Sequence, residues 1–504
     1  MRLAIIHQLI QFLIFGVEGF SPVVKLLHSR HSTLHLSDNN NNVEEKAPSF
    51  LEALFGIAIN GSPWEYMLQM KEQGYDGVIP VNLGPVGKYN FLLNPEVVRA
   101  ATVEEASILP RRFSVQLFET LELDKGLVYE QGDRHKRHKR TCIPSFEQKQ
   151  SMESFVSASK EELDDLASRF VSKKSIDLYA EMRKSALNVV LDVSFGLGKE
   201  GATNFQKTEL LSDTIAEYLE RIVALANEIP PLWQISPRLS KNYVRVTDVL
   251  LPTLRSLVSE VIASRRLEEE SGKKKSRADL LGVLVEDFDD NDIRSILFDV
   301  IIAGSDTTAS TATAALYILH QPENKGWLEK ARKEAIETNA GRDVPLDKMR
   351  SEMPVLVGVA REVLRLYPAV PFVGRTAADN GSLCDGRYPV TIGDTFCFSP
   401  WFLGRDPTNW EHANEFHPQR WVDDSTNGGA LSSFSWLPFG AGPRGCLGTR
   451  LGLTEVVLGT ARLLLDFEFE FELEGPLPVK YDLTLNLDGV MGCKIRPRGE
   501  NILN

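Results

Sequence analysis

Residues Asn291 to Gln321 read as one uninterrupted helix about 45 Å long at the standard rise per residue, and the rest of the fold has to accommodate it. Ile293, Ile296, Leu297, Val300, Ile301 and Gly304 mark one face at helical spacing. The surrounding chain agrees with a helical body. Helical patterns run through 150–172, 177–195, 205–227 and 241–272, and Pro354 to Tyr367 forms a helix opened by one proline and stopped before Pro368. The texture changes after Pro368 to short strands with many glycines and prolines, then a helix at about 446–465. Phe467 to Leu473 alternates strictly and predicts a strand with one wet face. Near the other end, 78–83 and 89–93 read as strands around Gly84, Pro85 and Gly87, and Asn94-Pro95 reads as a helix cap. The expected fold class is therefore mainly α, with small sheets drawn from both chain ends. No clean linker follows Phe50 and no repeat is visible, so 50–504 is expected to be one unit.

The formal net charge of −13 argues against a nucleic-acid partner. Five cysteines, scattered and without a C-x-x-C pair, argue against a disulfide scaffold and against zinc or iron–sulfur sites. The apolar stretch Leu9 to Val17, broken by Gln11 and followed by Glu18, is too short to span a bilayer and reads as a signal core. Gly19 to Ser37 lacks acids and carries Lys25, Arg30, histidines and serines, a transit-peptide composition. Together they resemble the two-part leaders of algae with secondary plastids. A weak endoplasmic-reticulum anchor with a disordered leader is the equal alternative. Asn39 to Asn42 and Glu44-Glu45-Lys46 complete a linker, so 1–49 is expected to stand outside the fold.

The strongest local signal is the run from Phe439 through Gly440, Gly442, Arg444 and Gly445 to Cys446 and Gly448. Its glycines allow a tight loop and close approach to a flat ligand. Cys446 precedes an apolar helical stretch, and a thiolate at a helix N-terminus has a lowered pKa, the state that a haem-thiolate iron requires. Arg444 could then pair with a haem propionate. The spacing of Gly440, Gly442 and Gly445 also matches a dinucleotide fingerprint, with Asp466 at the distance of its acidic partner. Against that alternative, the preceding Ser433 to Phe439 makes a poor buried strand.

Three further segments bear on the choice. The long helix carries Ala303, Gly304, Ser305, Asp306, Thr307 and Thr308 at its middle. Gly304 costs helix stability, and the functional reading is a groove for dioxygen with Asp306 and Thr307 organising proton delivery. Glu362 and Arg365 share a helix face, and Arg420 follows in Phe416-His417-Pro418-Gln419-Arg420-Trp421; placed together they would form a buried network supporting the cysteine loop.

This ordered set of four motifs resembles the cytochrome P450 family from about Phe50 to the C-terminus. The resemblance implies a triangular helical fold with a long central helix, and haem b with Cys446 as the iron ligand. It also implies that Phe439, Gly440, Gly448, Ala303 and Gly304 border the haem. Asp306 and Thr307 would relay protons, and Glu362, Arg365 and Arg420 would be structural supports. In the basic run Arg134 to Arg140, His135 and Lys139 stand where the family places a tryptophan and an arginine toward a propionate, and Arg375 matches another propionate position. Exposed members of that run would dock an acidic redox partner.

The implied function is insertion of one oxygen atom from O2 into a C–H bond of a lipophilic molecule. Two electrons would come from a donor protein, an NADPH-dependent reductase or a ferredoxin. Pocket walls are expected from 101–125, 205–240, the Ala303 region, Val370 to Val373 and Leu485 to Val490, with Phe113, Phe118, Leu232, Trp233 and Phe372 available. The leader and the cysteine-loop pattern suggest the plastid carotenoid hydroxylases as a subgroup, with peripheral membrane contact. A haem-thiolate isomerase or dehydratase is the alternative, less favoured because Asp306-Thr307 is intact. A nucleotide-dependent dehydrogenase is more distant.

Overall fold

The computed structural model describes residues 47–83, 88–114, 116–121, 123–197, 208–226, 228, 231–271, 279–423, 432–482, 484–487 and 491–499. The leader, the Gly84–Gly87 turn, most of the charged stretch Ser271 to Arg277 and residues 488–490 lie outside them.

Ser49 and Glu52 form reciprocal side-chain and backbone hydrogen bonds at the start of α1 (Phe50–Asn60), and left-handed Gly61 ends it. Helix α2 (Pro63–Glu72) leads to β1 (Val78–Asn82) and β2 (Lys88–Leu92), an antiparallel pair. These join β3 (Arg111–Arg112), β5 (Val373–Thr376) and β6 (Thr395–Phe398) in a five-stranded sheet of order β1-β2-β6-β5-β3. Only the β2–β6 contact is parallel. The sheet thus draws from both ends of the chain, and β3 is set beside β5.

The helical body comprises α3 (Gly132–Glu147), α4 (Lys149–Phe170), α5 (Leu178–Phe195), α6 (Thr208–Ala226), α7 (Leu251–Glu270), α8 (Asp290–Leu319), α9 (Lys325–Glu337) and α10 (Pro354–Leu366). After β6 come α11 (Gln419–Asp423) and α12 (Thr449–Asp466). The expected helix at 241–272 is interrupted by a π turn at Val246–Leu250. Pro252 follows at once and has no N–H to give that turn. β4 (Ser175–Asp177), β10 (Gly492–Pro497) and β7 (Phe467–Phe471) form a second, antiparallel sheet, and β8 (Lys480–Asp482) pairs with β9 (Thr484–Asn486).

Helix α8 is the axis. Asp289 caps it by accepting from the Asn291 and Asp292 N–H groups, and it ends at Leu319, two residues short of the expected Gln321. Pro322 restricts the residue before it, which is why the last turn closes early. One end of α8, Ile293 to Ile301, packs in a cluster with α5, α6 and α7; the other, Ala309 to Leu319, packs with α10 and α12. The middle turn lies between these two cores.

Candidate haem-thiolate site

In that middle turn the burial pattern breaks. Ala303 is exposed and Thr307 half-buried, whereas the other residues from Ser305 to Leu319 are buried. The Thr307 hydroxyl donates to the Ala303 carbonyl at 2.7 Å. Asp306 is buried, and its two carboxylate oxygens accept from the Tyr179 hydroxyl of α5 and the Thr484 hydroxyl of β9. Gly304 has a packing contact of its own: a Cβ there would lie 2.7 Å from Val190 Cγ2. The missing side chain lets α5 approach α8 closely.

The cysteine loop is built as its composition suggests. Gly440 and Gly442 adopt left-handed conformations with φ of 67° and 65°. A Cβ on Gly442 would stand 1.8 Å from the Thr102 carbonyl oxygen, so this loop is pressed against 100–104. The Cys446 N–H donates to the Phe439 carbonyl at 2.9 Å and closes the loop. Helix α12 begins at Thr449 with Gly448 as its cap. Cys446 has exposed surface although surrounding protein desolvates its thiol. That desolvation raises its pKa, opposed by the Gly448 N–H, the Arg112 charge, the Thr449 hydroxyl and the Lys139 charge.

A cluster of cations surrounds this loop. The terminal nitrogens of Arg444 donate to the Glu130 and Val128 carbonyls at 2.9 and 3.0 Å, leaving its buried Nε without a partner. Arg112 donates to the Arg444 carbonyl at 3.0 Å, and its buried Nε is likewise unpartnered. Arg375 is buried and donates to the Gly374 carbonyl. Burial and repulsion from Arg112 and Arg444 push it well below the usual guanidinium range. His135 is buried, and burial with the charges of Arg444, Lys139 and Arg112 lowers it to about 3, so its ring is neutral. Buried guanidinium N–H groups with no anion among the dominant charge neighbours of Arg375, on the same side of the fold as an accessible thiol, fit a group bearing carboxylates and an iron: haem b.

The segment 126–131 straps this loop to α8. Asp299 Oδ2 accepts from the Val128 N–H at 2.7 Å and from the Leu127 N–H, and a Cβ on Gly126 would collide with the same carboxylate. Arg444 holds the other edge of the segment, and Gln131 bonds the Arg112 backbone.

Glu362, Arg365 and Arg420 come together as expected. Fully buried Glu362 accepts from Arg365 at 2.8 and 2.9 Å, Arg420 at 3.1 Å, the Trp421 indole at 2.8 Å and the His417 N–H at 2.9 Å. Burial pushes its carboxyl up, but Arg365, the Arg420 charge and the His417 N–H outweigh this and hold it below the ordinary value. Arg365 also binds the carbonyls of Gly404, Ala413 and Glu415. The link to the cysteine loop runs through packed rings, Trp421 tilted against Trp436 at 5.4 Å and Trp436 edge-on to Phe439 at 6.1 Å.

The dinucleotide alternative does not survive. Ser433–Ser435 is a 3-10 turn followed by coil, where that fold needs a strand. Asp466 pairs with Arg462 one turn earlier on α12 at 2.7 Å. Sequence reasoning missed Arg112, Asp299 and the carbonyls of 128–130. Arg111-Arg112 carries no motif, and only the β3–β5 pairing sets Arg112 opposite Arg375.

A family model described as "Cytochrome P450" matches residues 45–488. Protein LUTEIN DEFICIENT 5, chloroplastic, of Arabidopsis thaliana is 26% identical over 84% of this chain and 72% of its own length. Cytochrome P450 71A8 of Mentha piperita is 25% identical over 90% of each chain. Steroid 17-alpha-hydroxylase/17,20 lyase of Felis catus is 28% identical over 60% of this chain and 61% of its own.

Proposed function

The chain belongs to the cytochrome P450 family, a monooxygenase that binds haem b through a cysteine thiolate, and from that premise we propose that Cys446 is the axial ligand and that a lipophilic small molecule is the substrate. The observation that carries the ligand is the accessible Cys446 thiol, held by Gly448 and Thr449, on a loop bound by Arg112 and Arg444, whose buried Nε atoms have no partner. Bound haem supplies O2 activation and C–H oxidation.

The protein's part is positional. Ala303 leaves room on the α8 turn, and Thr307 presents a hydroxyl there for proton transfer. Asp306, oriented by Tyr179 and Thr484, is the acid behind it. That intact pair favours oxygen activation over a haem-thiolate isomerase. Glu362, Arg365 and Arg420 serve as supports, and 50–504 acts as a single unit.

The proposed walls include Phe113, Phe118, Leu232, Trp233 and Phe372, all at least half-buried. The name of the Arabidopsis relative speaks of lutein and the plastid, which supports a carotenoid or related terpenoid as substrate class. Electrons would arrive from a reductase or ferredoxin at the exposed basic side chains of α3. Several of that run are engaged within the protein: Arg134 with Glu130 and Asp292, Arg137 with the Asp287 carbonyl. Peripheral membrane contact is supported by an exposed stripe on α1, Leu51, Phe55 and Ile59, spaced by one helical turn. No described helix is long and apolar enough to cross a membrane.

The test is to reduce the purified haem protein under carbon monoxide and record its spectrum. The red-shifted Soret band of a thiolate-ligated carbonyl haem is expected, and its absence sinks the ligand assignment. Substrate-induced difference spectra against carotenoids, sterols and fatty acids then separate the substrate classes. Thr307→Ala should keep the band while more of the electrons supplied are lost as peroxide; unchanged coupling removes Thr307 from the relay.

A further inference from the structure

Lys139 stands in the sequence where a propionate ligand is expected, and it also has partners within the protein. Its ammonium donates to the Pro443 carbonyl at 2.7 Å and to the Gly445 carbonyl at 2.9 Å. Between those two, the Arg444 carbonyl accepts from Arg112 at 3.0 Å. Three consecutive carbonyls directly ahead of Cys446 are therefore each capped by a cationic donor. The donors come from α3 and β3, which are distant in sequence from the loop.

This arrangement answers two physical problems of a glycine-rich ligand loop. The first is conformational: Gly440, Gly442 and Gly445 lose more freedom on ordering than other residues, and something must hold them. The loop's own bonds, Cys446 N–H to Phe439 and Gly445 N–H to Gly442, involve only its amides. The second is electrostatic. Uncapped carbonyl oxygens present partial negative charge close to the sulfur, and charge-assisted bonds offset it.

We propose that Lys139, together with Arg112, is a positioning residue: a cationic clamp on the carbonyls of 443–445 that holds Cys446 in its ligating geometry. The proposal rests on Cys446 being the axial ligand. An ammonium carries three donors and two are committed to the loop, which leaves one for a propionate.

The experiment compares wild type, Lys139→Met and Lys139→Arg as purified haem proteins, reduced under carbon monoxide at one pH. Haem content is measured alongside, with the melting temperature of the haem-free chains. Lys139→Met should retain haem yet move most of its carbonyl complex from the thiolate band to the shorter-wavelength band of a protonated or displaced thiol. Lys139→Arg, which keeps charge and donors, should restore the thiolate band. If Lys139→Met loses haem while the remainder shows the full thiolate band, Lys139 is a propionate ligand and the clamp is wrong. A lower melting temperature with an intact band also overturns it, since the contact is then only structural. Should Lys139→Met not fold, Lys139→Gln, which keeps an amide donor without charge, is read the same way. A wild type without the thiolate band removes the Cys446 assignment first and the clamp with it.

Discussion

Two groups of buried arginines sit in this protein, and they are finished differently. Around Glu362 the guanidiniums close on protein partners, with a carboxylate that accepts from Arg365, Arg420, Trp421 and His417. Around the cysteine loop, Arg112, Arg375 and Arg444 repel one another, and the Nε atoms of Arg112 and Arg444 have no partner. Leaving buried charge uncompensated costs several kcal/mol, so a fold tolerates it where something else completes it. The first group is architecture. The second fits the receptor proposed above for haem.

The comparison can be broken in several places. Cys446→Ala should abolish the thiolate band completely, whereas no change within the Glu362 group should do so while the chain stays folded; carbonyl spectra of both decide this. Glu362→Ala should destabilise the haem-free chain by about 3–5 kcal/mol, because it strands buried cations; denaturant titration showing less than about 1 kcal/mol would place that network outside the structural core. Arg375→Met should act in reverse. Relieved of mutual repulsion, the haem-free protein should melt no lower than wild type, while haem affinity falls by about 10–100-fold, the worth of a charge-assisted hydrogen bond. A drop in haem-free stability matching Glu362→Ala would erase the distinction between the two groups.

Glu455 sharpens the contrast as a buried carboxyl with no arginine among its dominant influences. Burial, then repulsion from Glu162, pushes it up to about 8 from an ordinary 4.5. A raised folded-state pKa means the stability is fully present below about 4.5 and is lost as pH rises through about 8. Glu455→Gln should therefore come close to wild type near pH 5 and exceed it near pH 9 by on the order of 3–5 kcal/mol. Parallel melting curves for the two at all pH values would show that Glu455 is not charged in that range.

What could be read from sequence had a local signature. Helix α8 announced itself by its apolar spacing, and α10 by its bounding prolines. Glu362 and Arg365 were placed on one face by a spacing of three. The residues missed act only across tertiary distance. Arg112 reaches a carbonyl 332 positions away and Asp299 a segment 171 positions away, separations that no window on the chain detects. At Gly304 the sequence shows that space is needed but not that α5 takes it, because α5 cannot be inferred from α8 alone.

The strap at 126–131 has a consequence for how the protein is made. One edge waits for Asp299 and the other for Arg444, 171 and 316 residues downstream of Val128. Contacts that span such separations form late, since loop-closure entropy must be met before they reward it. A ribosome delivering the chain in order leaves the strap half-anchored until nearly nine-tenths of the polypeptide has emerged. The nascent protein thus cannot assemble its cofactor cradle early, and a premature stop upstream of Arg444 yields a chain that folds helices but has nothing to close them around.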